Sequence, residues 1–325
     1  MKIDVIIPVY HPKKEFRTLL KMLFLQTVKP SKIILMNTQD SKEDTKELVE
    51  WLSLETKKKT FKSVANNSNC PEIEIKCCSV KKEEFDHGRT RHLGAMKSDA
   101  DYLLFMTQDA VPADYQLIER LMEALLEENT AVVYARQLAK ENAGIIEAYT
   151  RIFNYPSTKL RKTKKDIVTM GIKAYFCSDV CAMYRRDIYE QMGGFSFPII
   201  FGEDMLFAAK LLQEGYAINY AADAKVIHSH EYTCFQQFQR NFDIGVAQAE
   251  HPEVYALLPA EKEGIRLVKQ TFQFLTSRRN YWMAIYLLFQ SGAKYIGYLL
   301  GKKYWFLPKK LLPFLSSNTQ YWKDR

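Results

Sequence analysis

Tyr102-Leu103-Leu104-Phe105-Met106-Thr107-Gln108-Asp109 decides the reading of this chain: it is an apolar, strand-like run that ends in a carboxylate. After it, Ile118, Leu121, Met122, Leu125 and Leu126 recur at helical spacing and make one apolar stripe. Before it come three short strand-like runs, Ile3–Tyr10, Ile33–Met36 and Ile73–Lys76, with helical patterns at Lys14–Leu25 and Glu43–Leu54. Beyond the striped helix, Ala131–Tyr134 reads as a fifth strand. This alternation predicts an α/β fold, with a mostly parallel sheet covered on both faces. Ligands of such sheets bind beyond the carboxyl ends of the strands, so chemistry is expected at Val9, Tyr10, Asn37 and Asp109.

Composition fits that reading. The chain has 325 residues, 47% of them hydrophobic and 26% charged, with only 13 Gly and 11 Pro, as globular chains do. The opening apolar run is too short for a signal peptide and carries Pro8, so no export is expected. Met283–Leu300, the longest apolar stretch, is interrupted by Gln290, Ser291 and Lys294 and reads as non-spanning. Six cysteines without metal-ligand spacing suit reduced thiols in a cytoplasmic setting.

The net charge of +8 is uneven: Pro252 to Arg325 holds twelve Lys/Arg against four Asp/Glu, so the preceding residues are near neutral. A basic end on a neutral body points to an anionic partner. From Phe235 the pattern turns helical, with stretches at Ile265–Thr276 and Tyr281–Leu300. The tail that follows sets Lys302, Lys303, Lys309 and Lys310 around Tyr304, Trp305, Phe306 and Leu307, a mixture that suits an anionic membrane surface. The alternative is a tail that packs on the rest of the chain. Thr56–Pro71, rich in Lys, Asn and Ser, reads as a solvated loop.

Four segments carry candidate chemistry. Asp109, at a strand's carboxyl end, can hold a divalent cation; it also reads as a turn residue before Val111-Pro112. Glu203 and Asp204 open a helix, Met205–Glu214, closed by Gly215, where the dipole favours an ionised carboxylate, either a general base or a simple cap. His228 and His230 follow a short apolar run, as metal ligands do, although surface histidines are often inert. Phe85-Asp86-His87-Gly88-Arg89-Thr90-Arg91 joins a glycine turn to a helix start and two arginines, suited to a diphosphate or to a plain loop.

Taken in order, these pieces resemble the family 2 glycosyltransferases of GT-A fold, and among them the bacterial rhamnosyltransferases. The likeness runs from residue 3 to about 250: Ile6–Tyr10, Phe85–Gly94, Thr107-Gln108-Asp109-Ala110, Gly171–Ser178, Gly193-Gly194-Phe195, Gly202-Glu203-Asp204 and Ile227–His230. It implies a catalytic domain at 1–250, with a nucleotide-sugar half to about 110 and an acceptor half after it, and a basic helical extension at 251–325. It implies that Asp109 and His228 hold Mg²⁺ or Mn²⁺ and that Asp204 is the catalytic base. Pro8, Val9, Tyr10, Asn37, His87, Gly88, Arg91, Thr107 and Gln108 would meet the nucleotide sugar. Gly194, Phe195 and Glu203 would face the acceptor, and Trp51, Met183 and the Gly193-Gly194-Phe195 turn would be packing or acceptor-loop elements rather than chemical groups.

Three departures stand out: Asn37 replaces a usual Asp, Thr107 replaces the first acid of a DxD pair, and His92 stands for a usual Asn. The activity implied is inverting transfer of rhamnose from dTDP-β-L-rhamnose to a lipid-linked glycan, at the cytoplasmic face of a membrane. A UDP-hexose donor is the nearer alternative. A non-catalytic basic module binding membrane or nucleic acid is the other, although such a binder has no need of Asp109, Asp204 and His228.

Overall fold

The computed structural model describes residues 1–39, 50, 73–256 and 261–323. The helix expected at Glu43–Leu54 with Trp51, and the loop expected at Thr56–Pro71, lie outside the described residues. The strands are β1 (Ile3–Val9), β2 (Lys32–Gln39), β3 (Glu74–Lys81), β4 (Tyr102–Met106), β5 (Val111–Pro112), β6 (Thr130–Leu138), β7 (Leu160–Lys162), β8 (Cys181–Arg185) and β9 (Ala217–Ile227). They form one sheet in the order β3-β2-β1-β4-β8-β6-β9-β5, with β7 also on β9.

The four strands β3, β2, β1 and β4 run parallel. β8 runs against both β4 and β6, and β9 is parallel to β6. This order brings six carboxyl ends, those of β1, β2, β3, β4, β6 and β9, to one edge, and the amino end of β8 joins them. The alternation in sequence foretold the parallel sheet. It did not reveal β8, whose Cys-Ala-Met start has little of the β-branched and aromatic character that marks a strand.

The inner strands β1, β2, β4, β6 and β9 are largely buried on both faces, which explains their apolar character, while the edge strand β3 is mostly open. Ile3, Val5, Ile7, Leu104 and Met106 pack beneath helices α1 (Lys14–Phe24) and, after α2 (His87–Ala95), α3 (Leu117–Leu125). Ile6, Leu103 and Phe105 point the other way, into a cluster with Tyr184, Tyr189, Phe195 and Phe207. Helix α4 (Ile145–Asn154) follows β6, and α5 (Glu203–Gln213) follows β8.

The chain then continues through α6 (Cys234–Glu250), α7 (Glu261–Ser277) and α8 (Tyr281–Gly301). α6 and α8 pack backbone to backbone: a Cβ on Gly297 would stand 2.3 Å from the Phe238 carbonyl oxygen, and one on Gly301 2.0 Å from that of Phe242. No described helix is long and apolar enough to cross a membrane.

Candidate active site

Asp109, His228 and His230 converge at the sheet edge where the strands end. Asp109 sits just past β4, in a turn closed by the Ala110 amide donating to the Thr107 carbonyl at 3.1 Å. His228 follows β9, its amide donating to the Leu138 carbonyl at 2.9 Å. Nε2 of His228 lies 3.5 Å from Asp109 Oδ1, Nε2 of His230 lies 3.2 Å from Asp109 Oδ2, and the two Nε2 atoms are 3.0 Å apart. Donors at right angles around a cation about 2.1 Å away would themselves be about 3 Å apart, so the spacing fits one ion.

Burial holds both imidazoles below the ordinary histidine value, His228 well below it with the His230 charge adding to the burial, while the Asp109 carboxylate works against the lowering of His230. Neutral rings are what a cation requires. His228 Nδ1 is 3.1 Å from Gln137 Oε1, a partner that leaves Nε2 facing Asp109. Sequence reading paired Asp109 with His228; the structure adds His230 to the same cluster.

A second group is built where α5 begins. The helix starts at Glu203, two residues earlier than expected, after Gly202 with φ of 80°, so both acids lie in its first turn. Asp204 Oδ2 accepts from the Asp179 amide at 3.2 Å and Oδ1 from the Met205 amide at 2.8 Å. Beneath it, Arg91 Nη1 donates to Glu203 Oε1 at 2.7 Å, while Arg91 Nε is 3.7 Å from Asp179 Oδ2. Tyr184 donates to the other Asp179 oxygen at 2.7 Å.

One guanidinium thus faces three carboxyl groups in a dry place. Burial, then the neighbouring Glu203 charge, pushes the Asp204 carboxyl up to about 7. Burial likewise raises Asp179 well above the carboxylate range. The expectation that the helix dipole keeps Asp204 an ordinary, weakly basic carboxylate is therefore corrected: desolvation outweighs the dipole.

The strand that sequence reading missed ties the two groups together. Ser178 Oγ accepts from Gln137 Nε2 at 2.9 Å, the Asp179 amide holds Asp204, and the Val180 carbonyl accepts from the Thr107 amide at 3.1 Å. Three consecutive residues ahead of β8 therefore brace the histidines, the carboxyl of Asp204 and the Asp109 turn. Asp179 and Gln137 were not singled out from the sequence. The available signal was a polar residue flanking an apolar run, the same one that marked Asp109.

Other expected site residues are placed differently. The Gln108 carboxamide is engaged by Tyr10: it accepts from the Tyr10 amide and donates to the Tyr10 carbonyl, both at 2.9 Å. Arg91 and Glu203 are buried in their pairing with each other, and Arg91 Nε also faces Asp179. The amino end of α2 is already capped by Asp86, which accepts from the Arg89 amide at 2.8 Å.

Gly88 and Gly194 answer to packing: an added Cβ would lie 2.3 Å from the Ser196 carbonyl oxygen in one case and 2.4 Å from the His92 ring in the other. Phe195 belongs to the aromatic core, with its ring centroid 5.1 Å from that of Phe105. Asn37 is buried beside Val9, Pro8 and His87 are half-buried, and Tyr10 is exposed at the crevice. Thr107 Oγ1 is buried without a partner among the described residues.

Comparison with known proteins places these features. The family described as Glycosyl transferase family 2 matches residues 4–193, and Glycosyl transferase family group 2 matches residues 118–317. The O-antigen chain rhamnosyltransferase RfbN of Salmonella typhimurium is 36% identical over 326 residues, 100% of this chain and 97% of that protein. The O-antigen chain rhamnosyltransferase WbaN of Salmonella anatum is 39% identical over 75% of this chain and 78% of its own length. Among solved structures, the mannosyltransferase PcManGT of Pyrobaculum calidifontis, in complex with GDP-Man and Mn²⁺, superposes with a TM-score of 0.56 at 12% identity, covering 99% of this chain and 84% of its own. S. aureus TarS 1-349 gives a TM-score of 0.51 at 14% identity over 94% of this chain and 91% of its own.

Proposed function

The chain belongs to glycosyl transferase family 2, has the GT-A fold and is a glycosyltransferase; on that premise we propose that it transfers rhamnose, with inversion, from dTDP-β-L-rhamnose to a hydroxyl of a lipid-linked glycan. The observation that carries this reading is the Asp204 carboxyl, pushed up to about 7 and fixed by two backbone amides beside the Asp109–His228–His230 cluster's supporting segment. The rhamnosyltransferases RfbN and WbaN support the sugar.

In this mechanism Asp204 takes the proton of the acceptor hydroxyl as its oxygen attacks the anomeric carbon, and the nucleoside diphosphate leaves from the opposite face. A carboxyl near 7 is ionised in about half the molecules at neutral pH and is a far stronger base than an ordinary Asp. Arg91 and Asp179 do not touch substrate; they hold the first turn of α5 and the Asp179 amide in place. A divalent cation, Mn²⁺ rather than Mg²⁺ for a set of two imidazoles and one carboxylate, would offset the charge that grows on the departing diphosphate. Asp109, His228 and His230 would hold it, and Gln137 orients His228.

This reading assigns catalysis to residues 1–250 and leaves 251–325 as a basic helical extension at the cytoplasmic face of an anionic membrane. The test is incubation of the full chain with dTDP-rhamnose, UDP-hexoses and a lipid-linked acceptor mimic, reading product mass and anomeric configuration. An α-rhamnoside made from dTDP-rhamnose alone is expected. Transfer from a UDP-hexose only, or a β-rhamnoside product, overturns the assignment.

A further inference from the structure

The outer face of α8 is built the wrong way round for water. Trp282, Ile285, Phe289, Ile296 and Leu299 recur at helical spacing along it and are exposed, Trp282 by 83% and Phe289 by 70%. No charged residue stands on that face. The polar residues of the helix turn inward instead: Gln290 is 7% exposed and Lys294 is half-buried, with its pKa lowered by that burial. A surface helix of a water-soluble protein carries its polar stripe outward, and a contiguous exposed apolar face marks a docking surface.

The charge around this face selects the partner. From Arg278 to Lys323 there are eight Lys/Arg and no Asp or Glu. A second copy of the same segment, docked face to face, would bring these like charges together with no acid of that segment opposite them. A nucleic acid would leave the uncharged aromatic centre of the face unused, since its affinity comes from phosphate contacts.

We propose that the outer face of α8 docks on an anionic bilayer, with the helix parallel to the surface. Its tryptophan, phenylalanine and aliphatic side chains enter the headgroup–acyl boundary, and Lys302 and Lys303 at its end meet lipid phosphates. The expected membrane contact of the tail is thus extended to the helix before it, and Trp305 and Phe306 of the tail are exposed as well. Tyr304 and Leu307 of that tail pack instead against the cluster of Phe242, Leu312 and Trp322.

The docking has a consequence for the acceptor, which rests on the proposed function. A cleft of about 80 Å³ runs between α4, the residues after β9 and α8, lined by Glu147, His230, Glu231, Tyr286 and Gln290 among others. Tyr286 is also 40% exposed on α8. A glycan on a membrane-held carrier therefore meets the cleft beside His230 without leaving the surface.

The test is flotation of the full chain with vesicles of phosphatidylcholine plus phosphatidylglycerol, and of phosphatidylcholine alone. Recovery on the anionic vesicles is expected, and the double variant W282E/F289E should lower it about tenfold or more. Brominated acyl chains should quench tryptophan emission of the wild type, and Trp282→Phe should remove most of that quenching while still floating. Transfer to a water-soluble acceptor should survive in W282E/F289E. Equal flotation of wild type and W282E/F289E overturns the proposal, as does vesicle-independent self-association that W282E/F289E abolishes. A wild type that floats but transfers no sugar sinks the catalytic reading and leaves the docking intact.

Discussion

Arg91 Nη1 lies 2.7 Å from Glu203 Oε1, and the two side chains are 6% and 8% exposed. The pair joins α2 to α5 and sits directly under Asp204, so it links the fold's stability to the position and proton affinity of the proposed base.

Removing the cation from this pair should be severe. Arg91→Met leaves the Glu203 carboxylate buried without its counter-charge, and should destabilise the protein by about 3–5 kcal/mol. Urea unfolding measures it. Arg91→Lys keeps the charge but loses the planar fork, and should fall between the two. A loss below about 1 kcal/mol for Arg91→Met would mean that the pair does not hold the helices together.

The pH dependence of transfer follows from the raised Asp204 carboxyl. A base works only when deprotonated, so kcat/KM should climb with pH and level off above about 7. An ordinary carboxylate would give a limb near 4. Stability should move the opposite way. The folded carboxyl keeps its proton to about 7 and the unfolded one only to about 3.8, so stability falls as pH rises between them. Asp204→Asn should flatten part of that slope; a rate profile level from pH 5 to 8 would discard the assignment.

Asp204→Asn itself should cut transfer by about 10²–10⁴-fold while donor binding is retained, because the amide is nearly the same shape but takes no proton. Donor titration by calorimetry alongside rate measurement separates the two effects. Glu203→Gln should act differently, lowering stability through Arg91 more than it lowers the rate at a temperature where the variant stays folded.

Cation binding should depend on three donors and on one residue behind them. Asp109→Ala, His228→Ala and His230→Ala should each weaken Mn²⁺ binding, and excess EDTA should stop transfer. Gln137→Leu, which removes the partner of His228 Nδ1, should weaken Mn²⁺ by about 10–100-fold without touching the ion. Mn²⁺ titration read by water-proton relaxation gives these affinities without turnover. Unchanged affinity in His230→Ala would reduce the cluster to two ligands.

The sheet and the proposed base were legible in sequence because each leaves a local mark. β4 is an unbroken apolar run, β1 is one broken by Asp4, and Glu203-Asp204 precedes a helical stripe closed by Gly215. What was not legible depends on contacts between distant residues. Arg91 looks like a ligand for phosphate until Glu203, 112 positions away, is seen beside it. Gln108 looks like a crevice residue until its amide is found on Tyr10, 98 positions earlier. β8 enters antiparallel in the middle of a parallel set, and no local pattern announces that. Its entry is what delivers Asp179 to the carboxyl ends of its neighbours.

The two hydrogen bonds between the Gln108 carboxamide and the Tyr10 backbone have a mechanical meaning. They latch the loop after β1 to the residue immediately before Asp109, at two points rather than one, so neither can swing or twist alone. On the proposed reading, in which a nucleotide meets Tyr10 and Asp109 holds the cation, anything that displaced Tyr10 would pull Asp109 with it through Gln108, so the fit of the base would be geared to the grip on the diphosphate.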